Sequence, residues 1–111
     1  MAGEPIYYSS GAYASSGTGA IGAGCVLYWC YGFNPTATGI FVQLHNTLAP
    51  GVGRVPEVSI KVDGGQSFSW APSNVGRRFT AGCSWIASAT GDVLALSGIG
   101  IWLQLEARVI Q

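Results

Sequence analysis

The sequence carries little charge. Five lysines and arginines and five aspartates and glutamates make up 9% of its 111 residues, and the formal net charge is +0, whereas an average soluble domain carries roughly 25% charged residues. A neutral chain has no long-range field to attract nucleic acid or an acidic membrane surface, so neither is an expected partner. Low charge also protects poorly against self-association, and obligate protein interfaces are depleted in charge. We therefore expect much of the surface to lie against protein partners, although a monomer with an uncharged polar surface would have a similar composition.

Long apolar segments and targeting signals are also lacking. The two most apolar stretches, residues 20–33 and 93–105, are interrupted by glycine and are shorter than the about 20 residues of a membrane-spanning helix. The first five residues, Met-Ala-Gly-Glu-Pro, contain no basic region followed by an apolar core, so no secretory signal is visible. The sequence therefore predicts a protein that is made in the cytoplasm and is not exported by the general pathway.

Residues that carry out catalysis or bind metals are scarce. His45 is the single histidine, and its place beside Gln43 on the polar face of a predicted strand favours a surface or hydrogen-bonded role over a catalytic one. The five carboxylates are too dispersed to indicate an acid–base pair or a calcium site. They are Glu4, Glu57, Asp63, Asp92 and Glu106. We expect no catalytic, cofactor-binding or metal site, and no enzymatic activity.

The three cysteines, Cys25, Cys30 and Cys83, have none of the paired spacings of zinc sites or disulfide frameworks. Cys25 and Cys30 are five positions apart, which places them on opposite faces of a regular strand. They are therefore not expected to share a metal ion. The expected role of the cysteines is that of small apolar fillers in a reducing compartment.

Glycine content and period-two alternation indicate a β protein. The 17 glycines are scattered along the chain, and no apolar pattern keeps a helical period for three turns. Residues 58–62 alternate between apolar and polar side chains, which predicts a strand with one buried face. The Asp-Gly-Gly turn at 63–65 then predicts a hairpin with a return strand over residues 66–71. Phe68 and Trp70 are expected to face inward on that strand.

Further alternation predicts strands around residues 40–45, 83–88 and 103–109. Residues 26–33 are β-branched and aromatic on both faces, which predicts a central strand or one that a neighbouring subunit covers. An N-terminal strand over residues 6–13 brings the expected number of strands to seven or eight.

This number of strands predicts a single all-β domain over residues 1–111, folded as an antiparallel β-sandwich. Jelly-roll and immunoglobulin-like topologies both have about this many strands. The immunoglobulin hallmark, two bridged cysteines around a buried tryptophan, does not match the cysteine spacing. The jelly roll is therefore the expected topology.

Two adjacent arginines stand in the segment Gly76-Arg77-Arg78-Phe79. On an extended chain their side chains point to opposite sides. We expect one arginine to pair with an acidic group of the same subunit and the other to reach a neighbour, because arginine suits planar, hydrogen-bonded interface contacts. A solvated loop end would have the same sequence. Five basic residues in the whole chain are too few for a nucleic-acid patch.

Several segments of the sequence occur in an order that resembles a known group of proteins. They are Phe41-Val42-Gln43-Leu44-His45-Asn46, Pro56 before an alternating strand, Gly65-Gln66-Ser67-Phe68-Ser69-Trp70, Gly76-Arg77-Arg78-Phe79-Thr80-Ala81-Gly82, and Ser84-Trp85-Ile86-Ala87-Ser88-Ala89-Thr90 with Asp92. Over residues 39–92 this order resembles small β-sandwich proteins of tailed bacteriophages and their prophages. The size and the all-β character are also similar to the capsid cement, staple or decoration proteins of short-tailed phages.

The resemblance implies a jelly-roll subunit on the outside of a phage capsid, usually as a symmetric oligomer that bridges neighbouring capsid subunits. The implied partners are the major capsid protein and further copies of the chain, as a dimer or trimer. The virion exterior is the implied location, and the resemblance brings no catalytic residue or cofactor. We expect aromatic and arginine side chains to form the partner interface. The candidates are Tyr28, Phe41, Arg77, Arg78 and Trp102.

A second hypothesis is a carbohydrate- or receptor-binding β-sandwich of a phage tail fibre or spike, because exposed tryptophan and tyrosine rings can stack on sugar rings. The two hypotheses differ in what they expect of the surface. A sugar site would gather aromatic rings in a groove with amide and carboxylate groups around it, whereas a docking surface would spread them over a flat patch. A hydrolytic enzyme is disfavoured because no catalytic constellation is present.

Overall fold

The computed structural model describes residues 2–11, 13–72 and 75–110, and the side chains in those ranges except at 2–4 and 18–19. The regular structure in this part of the chain consists of nine strands. They are β1 (Ala2–Ser9), β2 (Ser16–Ile21), β3 (Cys25–Phe33), β4 (Ile40–His45), β5 (Val58–Val62), β6 (Ser67–Trp70), β7 (Arg77–Phe79), β8 (Cys83–Ser88) and β9 (Trp102–Ile110). Within the described ranges no helix is long and apolar enough to cross a membrane.

The strands form two antiparallel sheets. Sheet I has the order β1-β9-β3-β6, with the short β7 also paired to β3, and sheet II has the order β2-β8-β4-β5. The chain changes sheet at most of its connections, which is the arrangement of an eight-stranded jelly roll. This confirms the predicted fold class. The structure adds two strands to the seven segments predicted from the sequence, since residues 16–21 form β2 and the arginine segment pairs with β3 as β7.

The core lies between the sheets, and the alternating residues supply it as predicted. Ile40, Val42 and Leu44 of β4 are buried, and so are Leu103, Leu105 and Ala107 of β9. Phe68 is buried and Trp70 packs against the same cluster. Burial of each such side chain stabilises the fold by about 1.5–3 kcal/mol. The alternation predicts these positions because successive side chains of a strand point to opposite faces.

The predicted hairpin at residues 63–65 is wrong. A tight turn does lie there, with Gly65 at φ 71°, but β5 pairs with β4 in sheet II and β6 pairs with β3 in sheet I. The turn therefore carries the chain from one sheet to the other. The backbone N–H of Gly65 donates to the carbonyl of Asn34 (3.0 Å), and the N–H of Asn34 donates to the carbonyl of Gln66 (3.0 Å). These bonds tie the turn to the end of β3.

The expectation that Cys25 and Cys30 lie on opposite faces is also wrong. The pairing of β3 with β9 shifts register between Leu27 and Trp29, so β3 contains a β-bulge with one extra residue. One extra residue moves every later side chain of the strand to the face of the sheet opposite to the one that regular alternation predicts. Cys25 and Cys30 therefore both point into the core, and both are 0% exposed. The bulge also leaves Tyr28 and Trp29 half-buried on the outer side of the strand.

The outer face of sheet II is covered by two long connections of the same chain. Strand β8 is buried at every position. The covering segments are residues 46–57, between β4 and β5, and residues 89–101, between β8 and β9. They bond to each other, since the N–H of Gly53 donates to the carbonyl of Leu94 and the N–H of Leu94 donates to the carbonyl of Arg54, both at 2.8 Å.

Outward polar side chains of sheet II hold this cover in place. The hydroxyl of Ser84 donates to the carbonyl of Thr47 (2.7 Å), and that of Ser88 donates to the carbonyl of Thr90 (2.8 Å). The amide of Gln43 donates to the carbonyl of Thr90 as well (2.8 Å). A buried polar group that lacked such a partner would cost about 1–3 kcal/mol. The central strands β4 and β8 of sheet II are therefore covered by the chain itself, whereas Ser59 and Lys61 of the edge strand β5 stay exposed.

Candidate functional site

The outer face of sheet I, which we call the open face, differs from that of sheet II. Its outward side chains are exposed or half-buried, with Tyr31 of β3 39% and Tyr7 of β1 69% exposed. Tyr7 stands directly opposite Glu106 of β9, so the two share this face. A sheet face that carries large aromatic side chains in contact with solvent marks a binding surface.

Three aromatic rings on the open face touch one another. The ring centroids of Trp29 and Tyr31 are 5.0 Å apart, and those of Tyr31 and Trp102 are 5.6 Å apart in an edge-to-face arrangement. Contacts of this kind contribute about 0.5–1.5 kcal/mol beyond the burial of area. The rings belong to β3 and β9, the two central strands of sheet I, so a rigid sheet supports them.

Hydrogen bonds from β9 fix the orientation of two of these rings. The indole Nε1 of Trp29 donates to Oε1 of Glu106 (2.7 Å), and the hydroxyl of Tyr31 donates to Oε1 of Gln104. Side chains that are already ordered lose little conformational entropy when a partner binds. Trp29, Tyr31, Trp102, Gln104 and Glu106 therefore form a preorganised unit, which we call the aromatic cluster.

A shallow groove of about 510 Å³ lies at one end of the aromatic cluster. Tyr31 and Trp102 form part of its wall. The other lining residues are Gly32, Phe33, Ser67, Phe68 and Ser69. Aside from the tyrosine hydroxyl, no lining side chain is ionisable.

The opposite end of the open face carries two arginines. Arg78 of β7 and Arg108 of β9 each stand opposite Val26 of β3, one on either side. The guanidinium of Arg108 lies 5.9 Å from the ring centroid of Tyr28, which is within the range of a cation–π contact. Glu106 lies two positions from Arg108 along the same face of β9. The open face is therefore aromatic at one end and charged at the other.

The five predicted interface residues do not lie on one surface. Tyr28, Arg78 and Trp102 are on the open face. Phe41 is half-buried on the outer side of sheet II, where a side chain at Gly91 would lie 2.8 Å from its ring. Arg77 forms an ion pair with Glu57 of the same chain, with Nη2 3.0 Å from Oε2, and this pair bridges the edges of the two sheets.

Sequence reasoning missed most of the aromatic cluster. Trp29, Tyr31, Gln104 and Glu106 were not singled out, although the aromatic character of residues 26–33 on both faces was the available signal. That signal allowed either a central strand or a covered one, and β3 is central. Only the bulge explains why Tyr28 and Trp29 both lie on the outer side.

His45 lies on the outward side of β4, as predicted, but it is 0% exposed beneath the cover of sheet II. Because the amide nitrogen of Gln43 donates to the carbonyls of Thr90 and Val93, its oxygen Oε1 faces the histidine. Nε2 of His45, 2.9 Å from that oxygen, must then carry the proton. Nδ1 has no hydrogen-bond partner among the residues that the structure describes. Because the ring is buried, its neutral form is favoured.

The free energy of unfolding should fall at acidic pH, because His45 binds a proton more readily in the unfolded chain than in the folded one. Burial lowers the pKa of His45 below its ordinary value of 6.5, nearby Arg54 lowers it further, and Glu57 partly opposes them. Below about pH 6.5 the unfolded chain therefore binds a proton that the folded chain does not, and the free energy of unfolding declines by up to about 1.4 kcal/mol per pH unit. Urea titrations at pH 7.5, 6.5 and 5.5 measure this slope. His45→Gln is expected to flatten it, and a flat wild-type profile would contradict the prediction.

The cysteines are buried and free, as expected for apolar fillers. Burial raises the pKa of Cys25 to about 11 and that of Cys30 to about 12, and it also raises the pKa of Cys83. The thiols are therefore protonated at neutral pH. No three histidine, cysteine, aspartate or glutamate residues of the described ranges are placed to hold a metal ion.

Comparison of the chain with protein-family models, with curated proteins and with solved structures finds no match. What the protein does must therefore be inferred from the open face and from the sequence.

Proposed function

We propose that the protein is a non-enzymatic structural subunit that joins a larger assembly through the open face. The observation that carries this proposal is the asymmetry of the two sheets. The outer face of sheet II is covered over its central strands by the chain's own segments, whereas that of sheet I carries a preorganised aromatic cluster in contact with solvent. Aromatic side chains and arginine are the residues that contribute most to protein interfaces.

The resemblance to phage cement proteins supplies the setting that we propose, the exterior of a bacteriophage capsid. A shell filled with DNA is under internal pressure and is held by many weak contacts. A subunit that spans a seam between capsid proteins adds about 25 cal/mol for each Å² of apolar surface that it buries. If several copies are joined, each further contact forms at a high effective concentration. The low overall charge suits a protein that ends among partners.

A second candidate function, carbohydrate binding, is favoured by the groove beside Tyr31 and Trp102. Its walls combine aromatic rings with the hydroxyls of Ser67 and Ser69. Such a lining suits a neutral ligand that has both an apolar face and many hydroxyl groups. In this case the protein would act as the sugar- or receptor-binding module of a tail fibre or spike.

Copy number per particle separates the two candidates. We expect quantitative mass spectrometry of particles purified from cells that carry the gene to find on the order of hundreds of copies, as a symmetric shell requires. Trp102→Ala, which removes one ring of the aromatic cluster, should reduce the number of copies at least tenfold. Lys61→Ala on sheet II is the matched control and should leave it unchanged. A handful of copies would instead favour the tail module, and an unchanged number for Trp102→Ala would contradict docking by the open face.

A further inference from the structure

The groove at one end of the open face lies along an edge of sheet I. Strand β6 is an outermost strand of this sheet, since it pairs with β3 and with no further described strand. Ser67 and Ser69 of β6 stand opposite Phe33 and Tyr31 of β3, and both serines are exposed. Because a serine side chain is much shorter than an aromatic ring, the rings form a wall and β6 forms a low floor beside it. The groove is therefore open along the edge of β6.

The edge of β6 presents backbone hydrogen-bonding groups to solvent. The N–H of Asn34 donates to the carbonyl of Gln66 (3.0 Å), so the backbone at Gln66 points toward β3. Backbone direction alternates along an antiparallel strand, so the N–H and carbonyl groups of Ser67 and Ser69 point away from β3. The described residues supply no hydrogen bond to these outward groups. Such a row of groups is a template on which a further strand can pair.

Strand β6 lacks the features that protect the other edge strands. Charge, proline and irregular pairing are the usual protections of a sheet edge. Among the described edges, β1 contains Pro5, β5 contains Lys61, β7 contains two adjacent arginines, and β2 pairs irregularly with β8. Strand β6 has the sequence Ser-Phe-Ser-Trp and an unbroken register with β3, so its short length is its one protection. An edge of this kind beside an aromatic wall suits the addition of a strand.

We propose that the groove takes an extended segment of the partner protein, which pairs with β6 as an additional strand of sheet I. The inference rests on the proposed function, because it names what the partner contributes to the open face. Backbone groups of the segment bond to Ser67 and Ser69. Every second side chain of the segment lies over these serines against the rings of Phe33 and Tyr31. These side chains should be large, apolar and uncharged, because the groove offers no charge to pair with one.

Substitutions at Ser69 separate an added strand from a bound sugar, which would use the hydroxyl of Ser69 and not its N–H. Ser69→Pro removes the N–H, and an edge strand tolerates proline where the N–H faces solvent. This variant should lower the number of copies per particle about tenfold or more. Ser69→Ala keeps the N–H and should lower the number by less than about threefold. Equal losses for the two variants would assign the groove to a ligand of the hydroxyl and overturn the inference.

Ser59→Pro is the matched control on the other sheet. The N–H of Ala87 donates to the carbonyl of Ser15 (2.9 Å) on the side of β2. Alternation across β8 and β4 then directs the N–H of Ser59, on the edge strand β5, away from β4. Ser59 is exposed and lies outside the open face, so Ser59→Pro should leave the number of copies unchanged. Near-ultraviolet circular dichroism shows whether each proline variant is folded.

Hydrogen exchange of the wild-type protein tests the pairing without any substitution. The amide hydrogens of Ser67 and Ser69 should exchange rapidly in the free protein and about tenfold or more slowly on particles, because a backbone hydrogen bond protects an amide from exchange. Equal exchange in the two states would overturn the inference. Protection that appears in the free protein as its concentration rises would give the edge to a second copy of the chain, and would overturn it as well.

The outcomes also separate this inference from the proposed function. If Trp102→Ala removes the protein from particles while Ser69→Pro does not and the edge amides stay unprotected, the proposed function stands and the added strand is wrong. If the edge amides are protected on particles and Trp102→Ala has no effect, the added strand stands and docking by the aromatic cluster is wrong.

Discussion

Gly32→Ala is expected to destabilise the protein by about 3 kcal/mol or more, at or above the upper end of the range for overpacking a core. A Cβ atom at Gly32 would lie 2.0 Å from the carbonyl oxygen of Trp102 and 2.8 Å from Cζ of Phe68. The first neighbour is backbone of β9, which cannot yield without breaking the pairing of β3 with β9 at the centre of sheet I. The midpoint of urea denaturation measures the loss.

Gly22→Ala is the matched control for this prediction. Gly22 follows β2, and a Cβ atom there would meet nothing within 4 Å, so its substitution should change the free energy of unfolding by less than about 0.5 kcal/mol. Equal effects of the two substitutions would show that the close approach at Gly32 does not exist. The same clash should also displace Trp102, so any folded Gly32→Ala protein should assemble poorly.

Trp85→Ala is expected to cost about 3–5 kcal/mol, the range for truncating a fully buried aromatic residue. Trp85 of β8 is the largest fully buried side chain of the described residues. Its indole Nε1 donates to the hydroxyl of Tyr8 (3.2 Å), which links sheet II to β1 of sheet I. Such a loss is a large fraction of a total stability of about 5–15 kcal/mol and should lower the midpoint of thermal unfolding by about 10 °C or more.

Trp102→Ala is the control that separates stability from assembly. Trp102 is half-buried on the open face, so its truncation should cost about 2 kcal/mol of stability, less than that of a fully buried tryptophan, while it removes one ring of the aromatic cluster. Thermal unfolding should therefore rank Trp85→Ala below Trp102→Ala, whereas at a temperature where both variants are folded only Trp102→Ala should lose assembly onto particles. If Trp102→Ala unfolds as readily as Trp85→Ala, the ring belongs to the core and not to a binding surface.

The asymmetry of the sandwich connects its folding to its proposed use. Covering sheet II requires two long connections and several buried hydrogen bonds, and these make one side of the molecule self-contained. Sheet I receives no such cover from the residues that the structure describes, and its aromatic side chains stay in contact with solvent. A single uncovered face gives the protein one defined direction of attachment, which a structural subunit needs and which a sandwich with two bare faces would lack.

Periodicity in the sequence by itself determined most of the core and all of the strands except β2 and β7. Residues such as Val42 and Leu44, or Leu103 and Leu105, point inward because adjacent side chains of a strand alternate between faces, and this rule needs no knowledge of the neighbouring strands. The low charge is the basis in the sequence for the proposal that the surface meets protein partners. The same local rule placed Phe68 and Trp70 correctly.

Only the tertiary structure decided which strands pair, which face is open and where the bulge lies. The turn at 63–65 specifies that the chain reverses, but its bonds to Asn34 come from a distant segment and direct β6 to the other sheet. The bulge at Tyr28 and Trp29 exists only in the pairing of β3 with β9, yet one extra residue reverses every face assignment beyond it. His45 is buried because segments remote in sequence cover it. Local alternation predicts the face of a strand to which a side chain points, whereas long-range contacts determine whether that face packs against the core, against another segment of the chain or against solvent.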